Sequence, residues 1–186
     1  MNARTDGLSL AEFVAWEREQ EEKHEFRDGR ISYFAGGTIE HAALARELIA
    51  LLAVHLRGGP FRVYGSDLLL ATRGRGRYAD VVVTCDERDR APGTTIVQYP
   101  ALIVEVLSDA TAAIDRGEKL DEYGSIDALQ EYVLIDSRKR WAEVYRRAGD
   151  GQWLASLPAG EGKLFLTSVE LTLDLDELFE AAGIPG

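Results

Sequence analysis

The sequence has a single cysteine, Cys85, which excludes an internal disulfide and a cysteine-based zinc cluster and fits a reducing compartment. No apolar run reaches the roughly 18 residues needed to cross a bilayer, and no positively charged apolar leader opens the chain. The expectation is a cytoplasmic protein with no membrane contact. Cations are scarce too: 21 Lys and Arg face 32 Asp and Glu, for a formal net charge of −11. That balance argues against a general nucleic-acid coating role, which rests on neutralising phosphates. It leaves room for a local basic patch beside an acidic site. Internal repeats and low-complexity segments are also missing. What remains is ordinary globular composition, 46% hydrophobic and 28% charged, so wholesale disorder is not expected. A length of 186 residues suits one domain over 1–186, with residues 1–7 expected to be disordered.

Ser9-Leu-Ala-Glu12 has the form of a capping box, with Leu8 and Phe13 placed as a hydrophobic staple, and predicts a helix running to about Glu22. Asp28-Gly29, inside Glu25–Ile31, is the favoured pair for a type I′ hairpin turn. Gly36-Gly37 ends that strand and Thr38 can cap a second helix, whose apolar stripe is Leu44, Leu48, Leu51, Leu52 and Val54. Gly58-Gly59-Pro60 stops it. Strands are expected at Phe61–Tyr64, Leu68–Thr72, Tyr78–Cys85 and Ala101–Leu107, with Asp67 ending a turn and Cys85 in the core. A helix over Thr111–Tyr123, capped by Ser108 and Thr111, precedes strands at Glu131–Asp136 and Trp141–Arg146. Trp141 and Tyr145 share a face of the latter, available to the core or to a dimer contact. Asp150-Gly151 offers a further hairpin turn. Short strands near Lys163–Leu166 and Val169–Leu173 and an acidic helix from Leu175 to Ala182 complete the chain. Strands mixed with helices and one crossover indicate an α/β fold with a mixed β-sheet.

Two acids break the apolar rule of these strands. Glu105 lies inside Ala101–Leu107, a run suited to a strand buried on both faces, and Asp80 leads Val81-Val-Val83. A buried carboxylate is costly unless a cation, a metal or hydrogen-bond donors compensate it. If the two strands are neighbours, both carboxylates can converge on one Mg²⁺, which takes one or two carboxylates together with water and phosphate oxygens. The alternative is that Glu105 pairs with an Arg or Lys in a buried salt bridge. On the following helix Asp115, Glu118, Lys119 and Glu122 share a face by spacing. Lys119 can reach into the site or form a plain surface pair with Asp115.

These motifs resemble a known family. Tyr78-Ala-Asp80-Val-Val-Val, Pro100-Ala-Leu-Ile-Val-Glu105-Val-Leu-Ser108, Thr111, Asp115-Arg-Gly-Glu-Lys119, Tyr123 and Glu131-Tyr132-Val-Leu-Ile-Asp136 follow the signature of the bacterial Uma-two family. The Glu25–Gly29 hairpin and His41 are similar to its N-terminal half. That family is assigned to the PD-(D/E)XK restriction-endonuclease-like superfamily. The resemblance spans roughly Leu10 to Phe179. It implies a restriction-endonuclease-like core, a mixed β-sheet flanked by helices with additional β-hairpins. It further implies Asp80 and Glu105 as ligands of Mg²⁺ or Mn²⁺, and hydrolysis of DNA phosphodiester bonds. Two positions depart from the superfamily pattern: Ala79 stands where a proline usually precedes the aspartate, and Leu107 where a lysine is expected. The resemblance moves that lysine's role to Lys119.

Superfamily members often carry an extra acid from an N-terminal element, which brings Glu25 and His41 in as additional site residues, ahead of Glu40. A lone histidine near a helix start also serves as a cap or polar contact. Arg73, Arg75 and Arg77 form the most basic stretch and can track a phosphate backbone or sit on a solvated loop. Chains of this superfamily often act as homodimers. The alternative to an endonuclease is a catalytically inactive nuclease-like module for binding or assembly.

Overall fold

A computed structural model describes residues 7–34, 36–109, 111–156 and 162–184. The disorder expected for residues 1–6 lies outside the described residues; Gly7 lies within them. Helix α1 (Leu10–Glu17) leads into the hairpin of β1 (His24–Arg27) and β2 (Arg30–Tyr33), and then the long helix α2 (Ile39–His55). Strands β3 (Arg62–Gly65), β4 (Leu69–Thr72), β5 (Arg75–Arg77), β6 (Val81–Thr84), β7 (Ile96–Val97) and β8 (Leu102–Leu107) follow. Helices α3 (Ala112–Arg116) and α4 (Glu118–Gly124) connect β8 to β9 (Glu131–Asp136), which pairs on with β10 (Ala142–Arg147) and β11 (Trp153–Ser156). Strands β12 (Lys163–Leu166) and β13 (Leu171–Asp174) and helix α5 (Leu175–Ala181) end the fold.

The strands form two sheets and a separate pair. One sheet has the order β11-β10-β9-β8-β6-β3, the other β2-β1-β5-β4-β7, and β12 pairs with β13. β8 and β9 run parallel at the centre of the larger sheet, and all six residues of each are buried. Their α3–α4 crossover is the connection that a parallel pair requires. β8 alternates strictly. Leu102, Val104 and Val106 pack with Leu44, Leu48 and Leu52 of α2 and Phe179 of α5, whereas Ile103 and Leu107 pack with Tyr123 of α4 and Tyr132 of β9. Glu105 shares the parity of Ile103 and Leu107, so its carboxylate points to α4.

The hairpin turn has the backbone expected of it, with Asp28 at φ 49° and Gly29 at φ 78°, as a type I′ turn demands. Ser9 and Glu12 form the capping box, and Leu8 packs with Phe13. Thr38 caps α2 by accepting from His41 N. Asp150-Gly151 turns between β10 and β11, and Asp67 lies in a turn where it pairs with Lys23. Trp141 and Tyr145 both pack against the core cluster of Tyr123 and Tyr132.

Several expectations are corrected. α1 stops at Glu17, because Glu17 is drawn aside to accept from His24 N and Tyr78 Oη, and the chain turns back into β1. Val54 is 63% exposed: it lies about 200° round the helix from Leu52 and misses the stripe. The expected helix over Thr111–Tyr123 breaks into two at Gly117. Thr111 stands at the first helix's N-cap without capping it; its hydroxyl instead receives Ser108 N at 3.4 Å. Cys85 is exposed, because β6 ends at Thr84, whose hydroxyl donates to Asp89 as the chain turns outward. Arg75 to Arg77 is a strand, not a loop; only Arg73-Gly74 makes the turn, with Gly74 at φ 82°. A Cβ at Gly76 would come within 3.1 Å of Leu69 and 3.3 Å of Phe13, so a glycine between the two arginines lets β5 pack closely. β7 and β11 are too short or too polar on one side to stand out in the sequence, and with them the expected single main sheet becomes two.

Candidate active site

β6 and β8 pair antiparallel with Val81 opposite Val104, so the same register continued by one residue sets Asp80 against Glu105. Both are buried, Glu105 to 2% exposure. Asp80 Oδ2 accepts from the backbone N–H of Val106 at 2.7 Å and lies 3.0 Å from His41 Nε2. Glu105 Oε1 accepts from Lys119 Nζ at 2.8 Å and from the Tyr123 hydroxyl at 2.7 Å. Lys119 Nζ is also 2.9 Å from Asp115 Oδ1. Asp115, Lys119 and Tyr123 follow at steps of four residues, which keeps them on one face across the break at Gly117.

Three acids thus surround one ammonium and one imidazole, and the excess of negative charge shows in their proton affinities. Burial, reinforced by Asp80 and Asp115, pushes Glu105 up to about 8 despite the opposing pull of Lys119. Burial works against the Lys119 charge, but Glu105 and Asp115 outweigh it and raise its proton affinity above the ordinary lysine range. The hydrogen bond to Asp80 raises His41 above the ordinary histidine value, against the effect of burial. Burial and the adjacent Glu105 hold the Tyr123 hydroxyl well above its usual value.

The donor set fits a hard cation. Among the described residues every hydrogen bond to the Asp80 carboxylate uses Oδ2 and every one to Glu105 uses Oε1. Among the described residues the second oxygen of each carboxylate accepts none. Asp115 Oδ1 is buried and, although close to Lys119, accepts no hydrogen bond. No group of three or more His, Cys, Asp or Glu side chains among the described residues closes around an ion. A pair of carboxylates is what Mg²⁺ uses when water and phosphate oxygens supply the rest, and this all-oxygen set suits Mg²⁺ or Mn²⁺ over Zn²⁺.

The other residues singled out in the sequence divide. His41 comes into the site through Asp80. Glu25 accepts from Arg77 at 3.0 Å and from Tyr78 N at 3.3 Å, and with Asp115 and Lys119 it lines a cleft of about 360 Å³ beside the site. Glu40 is exposed at the start of α2. Arg77 is buried at 5% exposure, its guanidinium held by Glu25, Glu118 and Glu122. Arg75 is bound by Asp28 and Glu122. Both face acids, and of the three arginines only Arg73 is exposed, on its turn. Asp115 and Tyr123 also belong to the site, beyond the residues that the sequence assigns to it. The signal was available in the Asp115, Lys119, Tyr123 spacing, which ends on a buried hydroxyl.

No helix among the described residues is long and apolar enough to cross a membrane. A family model described as "Putative restriction endonuclease" matches residues 10–176. Two proteins of Synechocystis are similar over most of their length. The uncharacterized protein slr1290 is 38% identical over 174 residues, 92% of this chain and 91% of its own. The uncharacterized protein sll1609 is 35% identical over 162 residues, 86% and 92% respectively. Among solved structures, a "putative nuclease belonging to DUF820" from Anabaena variabilis superposes with a TM-score of 0.78 at 18% identity, covering 94% of this chain and 99% of its own. With its restriction-endonuclease-like α/β fold and its register-matched acids, the chain belongs to the Uma-two (Uma2) family of nuclease-like proteins.

Proposed function

We propose that the protein is a metal-dependent endonuclease that hydrolyses DNA phosphodiester bonds. The observation that carries this reading is the register-opposed pair Asp80 and Glu105 with the Lys119 ammonium 2.8 Å from Glu105. The family description, which names restriction endonucleases, supports DNA as the substrate. Asp80 and Glu105 would hold Mg²⁺ or Mn²⁺, which supplies charge at the phosphate and acidifies a bound water. The chain's own groups keep that site in order. Val106 N–H and His41 fix the Asp80 carboxylate, leaving its other oxygen available. Tyr123 and Lys119 orient Glu105 in the same way. Lys119, kept charged by the surrounding acids, places a fixed cation where negative charge grows on a phosphate during displacement.

Calorimetric titration with Mg²⁺ and Mn²⁺, run beside plasmid nicking, tests the reading on wild type, Asp80→Ala and Glu105→Ala. Binding and nicking in the wild type that both vanish in the variants are expected. A second reading, an inactive nuclease-like module for binding or assembly, is favoured by the direct ion pair of Lys119 with Glu105, which gives the buried carboxylate a counter-charge from the chain itself. A wild type that neither binds the ions nor nicks DNA would establish that module instead.

A further inference from the structure

Lys119 sits between two carboxylates and is engaged with one. Its Nζ donates to Glu105 Oε1 at 2.8 Å, while Asp115 Oδ1, 2.9 Å from the same nitrogen, accepts no hydrogen bond. Among the described residues it is the one fully buried carboxylate oxygen left without a donor. The rest of Asp115 is pinned: its N–H donates to Thr111 O at 2.9 Å, and its carbonyl accepts from the Tyr132 hydroxyl at 3.0 Å. A buried carboxylate oxygen without a donor is costly, so one held in place beside a reactive cluster points to a use.

That use follows from what Lys119 does at Glu105. It is the counter-charge of a carboxylate that, on the reading above, also holds a divalent cation. A dication on Glu105 takes over the neutralisation and repels an ammonium on the same group. Lys119 is 7% exposed, too buried to exchange Glu105 for bulk water, and its N–H donors still need an acceptor. Glu25, the other acid lining the cleft beside it, is taken up by Arg77 and by Tyr78 N. Asp115 Oδ1 is already within hydrogen-bond distance, so a turn of the ammonium suffices and the side chain need not swing. We infer that Asp115 is a positioning residue for Lys119: it accepts from the ammonium when a divalent cation takes Glu105, and so keeps the charge in the site without competition for the metal. This role rests on the nuclease reading above for its metal. It accounts for how one lysine serves both as the partner of Glu105 and as the cation facing a phosphate.

A double-mutant cycle read by Mg²⁺ calorimetry tests this on wild type, Asp115→Asn, Lys119→Met and the double variant. Asp115→Asn is expected to lower Mg²⁺ affinity about tenfold with Lys119 present and no more than about twofold in the Lys119→Met background, a coupling typical of residues in contact. The loss of one negative charge near the ion acts in both backgrounds and cancels in the cycle. The metal-free Asp115→Asn protein should melt within about 3 °C of wild type, because it gives up no hydrogen bond. A crystal structure of the wild type loaded with Mn²⁺, which needs no variant to fold, should show Nζ hydrogen-bonded to Asp115 Oδ1 and no longer to Glu105 Oε1. Equal affinity losses in both backgrounds, or a metal-loaded structure with Nζ still on Glu105, would overturn the inference. So would a metal-free Asp115→Asn that melts far lower, since Asp115 would then be an ordinary structural partner. Plasmid nicking separates the two ideas. Mg²⁺ binding with the expected coupling in a protein that cleaves nothing keeps the role of Asp115 and removes the nuclease. Nicking by a wild type whose cycle shows no coupling does the reverse, and a wild type that takes up no Mg²⁺ removes both.

Discussion

Helix α4 holds two charge clusters side by side, one closed around the buried Arg77 and Glu122 and one around the buried Glu105, and they are built on opposite principles. Glu118 and Glu122 face Arg77 and Arg75, with Glu25, Asp28 and Arg27 completing the network. Lys119 and Tyr123 face Glu105, with Asp115 and Asp80 close by. In the first cluster three arginines meet four acids through multiple hydrogen bonds. Burial opposes the Arg77 charge, but Glu122 and Glu25 overcome it and hold the guanidinium firmly protonated. In the second, three acids share one lysine and one histidine, and Glu105 is forced up to about 8. A closed network of this kind ties the smaller sheet to the crossover helix. An open one, short of positive charge, is where a cation has something to gain.

Removing a partner should therefore have different consequences in the two clusters. Arg77→Met would take from Glu25 its arginine and leave Glu118 and Glu122 with one each, Arg27 and Arg75, around an apolar side chain, and loss of one member of a buried ion network costs about 3–5 kcal/mol. Urea unfolding is expected to show that loss at every metal concentration. A change below about 1 kcal/mol would mean that the smaller sheet is held to the crossover helix by packing alone. Lys119→Met attacks the other cluster. Nicking should fall by on the order of 10²–10³, the usual cost of deleting a fixed charge at a developing anion. Mg²⁺ binding should persist, since neither carboxylate is touched, and calorimetry on the same variant reads this directly. Loss of binding together with activity would mean that Lys119 acts only through its hold on Glu105 and not on the phosphate.

The over-acidic cluster also carries a pH signature. The carboxyl of Glu105 has an ordinary value of 4.5 and sits at about 8 when folded. The folded state therefore binds the extra proton between those limits, and the stability it contributes at low pH is lost as pH rises through about 8. His41, also raised, acts in the same direction. The metal-free wild type should be less stable at pH 8.5 than at pH 5, and Glu105→Gln should flatten most of that slope. Saturating Mg²⁺ should flatten it too, because a bound dication replaces the proton. An identical pH dependence in wild type and Glu105→Gln would remove Glu105 as its source.

The second cluster was legible in the sequence and the first was not, for a physical reason. Glu105 and Asp80 interrupt apolar strands, and a period-two pattern makes such an interruption visible without any knowledge of partners. Their convergence needed only that the two strands be neighbours. Arg77 offered no such contrast. It stands among glycines and arginines in Arg73–Arg77, a stretch that reads as solvated loop, and its burial depends on acids 41 to 52 residues away in sequence. Pairing between β1 and β5 brings Glu25 to it, and Phe26 opposite Gly76 is the only residue pair in that ladder. Lys119 lies between these cases. Helical spacing gave its face and its partner Asp115, but its burial follows from the kink at Gly117, where φ −110° and ψ −85° leave the helical region. A break of that kind leaves a single glycine as its mark in the sequence.

Tyr123 gives the smallest and most discriminating test of the contrast. Its ring packs edge-on to Tyr132 with centroids 5.2 Å apart, a contact that phenylalanine keeps. Tyr123→Phe deletes only the hydroxyl that donates to Glu105 Oε1 at 2.7 Å. The metal-free protein should lose about 1–2 kcal/mol, since Glu105 retains Lys119 but gives up one of its two donors. If the hydroxyl serves mainly to steady a carboxylate that lacks a cation, saturating Mg²⁺ should recover most of that loss in thermal melting. Nicking at saturating metal should then fall less than about tenfold. If Tyr123→Phe instead costs as much activity as Lys119→Met, the hydroxyl acts on the substrate. In that case α4 would present two catalytic groups to the site, and the division between its closed face and its open one would be sharper still.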